Sequence, residues 1–127
     1  MKAEKFEDLK VWNLSREMAV EIYKITSKNN FKKDFGLSNQ IQRAGVSILS
    51  NIAEGFERET NKEFIRFLYI AKGSVGEVRA QLYLALDLNY IDEPTFNGLF
   101  EKTMKISGML SSFIKYLQED LRGSHAT

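Results

Sequence analysis

Gln40, Arg43, Ser47, Asn51, Glu54 and Arg58 follow one another at steps of three or four residues, which lines them up on one side of a helix. Amides, a hydroxyl, guanidinium groups and a carboxylate in one row can close a hydrogen-bonded network or grip a polar ligand. A second row, Glu63, Ser74, Glu77 and Gln81, shares a side of a later helix, with Ile70 interrupting it. If the rows face each other, Arg43 and the carboxylates of Glu54 and Glu77 join one network with Asn51 and Ser74. Such a network buried in a subunit seam gains register and oligomer specificity more reliably than stability. The first expectation is therefore a polar interface or a solvated face. A ligand site and a surface for a macromolecular partner are the alternatives.

Most catalytic chemistries lack their parts. The chain has no Cys and a single His, His125, in the terminal stretch Gly123-Ser-His-Ala-Thr, which reads as a disordered tail outside the fold. Neither Ser47 nor Ser74 then has a base to activate it. A ferritin-like di-iron site needs Glu-x-x-His motifs on inward faces, and these are absent. Magnesium held by carboxylates alone stays open. Glu54 and Glu77 could do acid/base work only if burial drove their pKa values apart. The expectation is a non-catalytic protein without cofactor or metal, and a carboxylate enzyme using Glu54 and Glu77 is an alternative.

Eighteen Lys and Arg against seventeen Asp and Glu leave a net charge of +1, too little to collect nucleic acid from a distance. Binding must come from a local patch. Lys24, Lys28, Lys32 and Lys33 gather around the end of the first helix and are the cleaner candidates. Arg58, Lys62 and Arg66 form a second cluster, but Glu57, Glu59 and Glu63 interleave it. The absence of Cys makes a reducing cytoplasm the plainest compartment. The charged start Met1-Lys-Ala-Glu-Lys resembles no secretory signal, and no apolar run approaches the roughly 20 residues of a membrane span.

Four helices must position these residues. Val11, Leu14, Met18, Ile22 and Ile25 predict one over about 9–27, and Phe31 and Phe35 in the following connection are expected to plug the end of the core. Leu37, Ile41, Ala44, Ile48 and Ile52 predict a second over 37–56, with Val46, Leu49 and Ala53 as an extra apolar stripe. Thr60-Asn-Lys-Glu63 is a capping box that opens a third helix over 60–88. That helix carries Gly73 and Gly76. A helix-interior Gly costs on the order of 1 kcal/mol against Ala, so two of them three residues apart point to close approach by another helix, of this chain or of another subunit. Asp92-Glu-Pro94 starts a fourth over 95–121. Short loops make successive helices antiparallel neighbours in an all-α, up-down four-helix bundle.

The order Phe6-Glu-Asp-Leu-Lys-Val-Trp12, Gly36-Leu37, Gln40-Ile-Gln-Arg-Ala44, Asn51-Ile-Ala-Glu-Gly55, Ala71-Lys-Gly-Ser74 and Leu88-Asn-Tyr-Ile91 closely resembles the bacterial proteins encoded in intervening sequences of 23S ribosomal RNA genes, the S23 ribosomal protein family. That family in turn resembles the accessory variability determinant of diversity-generating retroelements, a pentameric helical bundle that binds a reverse transcriptase and nucleic acid. The resemblance implies a closed homo-oligomeric ring, a pentamer, whose partner is RNA, DNA or a nucleic-acid enzyme. A structural or selfish-element product without a ligand is the competing reading.

Overall fold

The computed structural model describes residues 3–126, with side-chain surroundings for residues 3–121. Among them it is all-α. A 3-10 turn, Phe6–Asp8, precedes α1 (Lys10–Thr26), α2 (Asn29–Lys33), α3 (Phe35–Phe56), α4 (Asn61–Asp87) and α5 (Glu93–Ala126). The backbone of α5 thus continues beyond residue 121, while the expected tail 123–127 lies outside the residues whose side chains are described.

Local chemistry sets the ends. After α1 the chain turns through Asn29, whose φ of 51° is a left-handed value that Asn tolerates better than most residues, and α2 begins there. The sequence pattern had no period long enough to announce this single short helix. It buries Phe31 completely, stacked 5.2 Å from the Tyr90 ring. Phe35 does not share the plug expected of it and is 73% exposed, because α3 starts at that residue and turns its side chain outward. Asp34 caps α3 by accepting from the Leu37 amide at 3.0 Å and also accepts from the Tyr90 hydroxyl at 2.9 Å. One carboxylate therefore ties α3 to the turn between α4 and α5. The Leu37 amide first and the Tyr90 hydroxyl second hold the Asp34 carboxyl below its ordinary pKa, and the bond to Asp34 pushes the Tyr90 phenol up. Thr60 accepts from the Glu63 amide at 3.2 Å, and Asp92 accepts from the Thr95 amide at 2.9 Å.

The long helices pack in a cycle: α1 against α3, α3 against α4, α4 against α5, and α5 back against α1. Met18, Ile22, Ile48, Leu68, Leu82 and Ile106 are fully buried between them. Each such side chain contributes on the order of 1.5–3 kcal/mol by leaving water. Close approach falls on α3. A Cβ at Gly45 would lie 2.9 Å from Ile22 Cδ1, and one at Gly55 would lie 2.7 Å from Phe67 Cβ and 2.9 Å from Phe64 Cδ1. Gly73 and Gly76, where a tight helix contact was expected, would meet nothing within 4 Å in this chain. Their face of α4 points away from both neighbours, so any close contact there must come from another molecule.

Candidate functional site

The two polar rows do meet, at the groove between α3 and α4. Ser74 Oγ donates to Ser47 Oγ at 2.9 Å, and Asn51 Nδ2 donates to both Ser47 Oγ at 3.0 Å and the Ser47 carbonyl at 2.8 Å. Above this knot Gln81 Nε2 lies 3.4 Å from Gln40 Oε1, and Gln81 Oε1 is buried without a partner. Gln40, Arg43, Ser47, Ser74, Glu77 and Gln81 line a cavity of about 260 Å³ there.

The ionic half of the expected network does not form. Glu54 is paired with Arg58, Oε1 to Nη2 at 3.0 Å, not with Arg43. The reason is local: Arg58 stands one helical turn away, and its guanidinium is already held 4.7 Å from the centre of the Phe67 ring. Arg66 approaches the same ring at 4.9 Å. Arg43 and Glu77 are exposed and, among the described residues, neither makes a hydrogen bond or ion pair within the chain. The seam is thus neutral at its base and carries two uncommitted charges at its rim.

Lys24, Lys28, Lys32 and Lys33 are all exposed, with Lys24 in the last turn of α1 and Lys32 and Lys33 in the last turn of α2. Lys24 and Lys28 line a shallow cavity of about 350 Å³ against Pro94, Thr95 and Gly98. The second basic cluster is committed in part, since Arg58 is ion-paired and both arginines rest on Phe67. Among the described residues, no group of three or more His, Asp or Glu is gathered closely enough to hold a metal ion, and no helix is long and apolar enough to cross a membrane.

Two apolar surfaces stand outside the core, on helices where the spacing shows second apolar stripes. On α4, Tyr69, Ile70, Leu84 and Leu88 are between 43% and 53% exposed. On α1 and α3, Val20, Tyr23 and Val46 are between 38% and 50% exposed, and Val20 and Tyr23 line a groove of about 430 Å³ together with Arg16, Lys24 and Leu49. Val20, Ile70, Leu84 and Leu88 lie outside those stripes, and spacing alone did not single them out.

A helical protein with a neutral hydrogen-bonded seam and open apolar faces is the class that geometry defines. Residues 7–112 match the family described as 23S rRNA-intervening sequence protein, and the chain belongs to that family. It is also similar to the crystal structure of a protein of unknown function from the S23 ribosomal protein family of Bacteroides thetaiotaomicron VPI-5482. That likeness has 33% identity and a TM-score of 0.76 over 83% of this chain and 98% of that one. No curated protein matches the chain.

Proposed function

We propose that this protein is a non-catalytic scaffold or binding protein: an up-down four-helix bundle that works as a closed homo-oligomer, of the size of a pentamer, and presents a basic patch to RNA, DNA or a nucleic-acid enzyme. The observation that carries the reading is the outward face of α4, where large apolar side chains stand in water around Gly73 and Gly76. Exposed apolar patches with a polar rim mark association surfaces. The rim charges Arg43 and Glu77, which find no partner inside the protomer, suit a contact with a neighbouring copy.

Nucleic acid enters through Lys24, Lys28, Lys32 and Lys33, exposed at one end of the helices, and through the family's association with rRNA genes. A ring repeats a modest patch by its symmetry, so weak contacts add up. Light scattering and RNA retardation test the two parts. Wild type is expected to scatter at several times the 14.6 kDa protomer mass. It is also expected to retard RNA at low salt without sequence preference, and replacing the four lysines with Gln is expected to abolish most retardation and flatten the salt slope with assembly intact. A monomer at micromolar concentration would refute the scaffold. An assembled wild type that retards no RNA or DNA would favour the ligand-free structural product, which the near-neutral charge of +1 also suits.

A further inference from the structure

We infer that the groove between α3 and α4 binds a free α-amino acid of small side chain, held across the groove with its carboxylate on α3 and its ammonium on α4. This site goes beyond the scaffold reading above and does not depend on it, because every group involved belongs to one protomer. Ser74 bridges to Ser47 and Gln81 to Gln40, so a step back along α3 is matched by an equal step forward along α4. Arg43 and Glu77 lie between those two bridges, on opposite walls of the same cavity of about 260 Å³. Opposite charges at one level of a groove are expected to pair, yet neither makes an ion pair within the chain. Both are exposed, so both stay available to a ligand that enters from solvent.

The unmet hydrogen-bonding groups sort by wall. On α3, the Arg43 guanidinium offers a fork of N–H donors, and Ser47 Oγ, which accepts from both Ser74 Oγ and Asn51 Nδ2, has its own proton left to donate. On α4, Glu77 offers a carboxylate, and Gln81 Oε1 is buried with no donor. A buried acceptor without a donor costs free energy until one arrives. The complement is a small molecule with an anion on one side and an N–H-bearing cation on the other. A carboxylate fits the guanidinium fork and the hydroxyl, while an ammonium gives one N–H to Glu77 and another to Gln81 Oε1. A quaternary ammonium zwitterion carries the same charges but has no N–H for Gln81. A lone anion would meet Arg43 while facing the Glu77 carboxylate, and a lone amine would do the reverse. At about 260 Å³ the cavity lies below the usual range for drug-sized ligands, which keeps the side chain small.

Equilibrium dialysis of the full chain against radiolabelled glycine, L-alanine and L-serine tests this, with light scattering on the same samples to record assembly. At least one of the three is expected to bind at one molecule per chain, and unlabelled acetate, methylammonium and glycine betaine are expected to displace it poorly. Arg43→Gln and Glu77→Gln change exposed groups that have no ion-pair partner in the chain, so both variants are expected to fold and melt as wild type does. Each is expected to weaken binding by about tenfold or more, the loss that follows removal of a charged hydrogen bond. Gln81→Met removes the buried acceptor at similar size and is expected to narrow the preference for the amino acid over glycine betaine. The proposal is overturned if none of the three amino acids binds wild type at millimolar concentration, if neither charge variant weakens binding, or if glycine betaine displaces as well as the amino acid does. Amino acids that fail to bind, together with a lower scattering mass for the two charge variants, would assign Arg43 and Glu77 to a contact between copies and keep the scaffold reading. A monomeric wild type that binds would do the opposite, removing the scaffold and keeping the site.

Discussion

Four helical glycines divide into two pairs that the amino-acid sequence alone does not separate. Gly45 and Gly55 on α3 sit where a Cβ would come within 3 Å of a neighbouring side chain, while Gly73 and Gly76 on α4 face open space. The first pair shows what a glycine does inside a protomer: it lets α1 and α4 approach the backbone of α3. The second pair pays the same backbone entropy with nothing inside the chain to offset it. Under the proposed assembly, contact with a second copy supplies the missing offset.

The sharpest way to break the comparison is to put the same side chain at one member of each pair. Gly55→Leu forces atoms against Phe67 Cβ, which lies next to the backbone and cannot swing away, so a loss near the upper end of about 1–3 kcal/mol is expected in urea denaturation. Gly76→Leu is expected to leave a dilute, unassembled protomer as stable as wild type or up to about 1 kcal/mol more so, through helix propensity. Its effect belongs to assembly, read as a lower scattering mass. Equal losses of protomer stability at both positions would show that the open face of α4 is not what distinguishes them.

The seam offers a smaller contrast between its neutral base and its charged rim. Ser74→Ala removes the donor to Ser47 Oγ from a buried position, and a loss of about 1 kcal/mol is expected. Glu54→Ala removes only an exposed pair with Arg58 one turn away, worth about 0.3–0.5 kcal/mol, and Glu54→Gln is expected to behave almost alike. Thermal melts of the three variants check this order. A Glu54→Ala loss that exceeds the Ser74→Ala loss would return Glu54 to the centre of the network.

Much of this was legible from spacing. Steps of three and four placed Ser47, Asn51 and Ser74 on facing sides, and the apolar stripe containing Ile41, Ile48 and Ile52 set the inward face of α3. Which partner each charge takes was not legible, because Arg58 wins Glu54 through a helical turn and an aromatic ring that come together only in three dimensions. The break at Asn29 was hidden for a related reason. A helix of five residues has too few positions to show a period, and its one buried side chain, Phe31, is explained by Tyr90, almost sixty residues away in the chain.

Acid provides the finest comparison, between a group that is doubly bonded and the many carboxylates that are not. Asp34 has its pKa lowered from the ordinary 3.8, first by the Leu37 amide and then by the Tyr90 hydroxyl. A carboxylate with a depressed folded pKa stabilises the fold fully above its unfolded value and loses that contribution as pH falls through the folded one. Tyr90, raised by the same bond from 10.0, keeps its contribution below that value and loses it as pH climbs through the raised one. Asp34→Asn is therefore expected to melt below wild type at pH 6, with the gap narrowing as the pH drops below about 4. Tyr90→Phe should shrink the same gap without abolishing it, because the Leu37 amide still needs its acceptor. Melting temperatures of the three proteins between pH 2 and 6 test this, and a gap that stays constant over that range would show that Asp34 does not titrate with the fold.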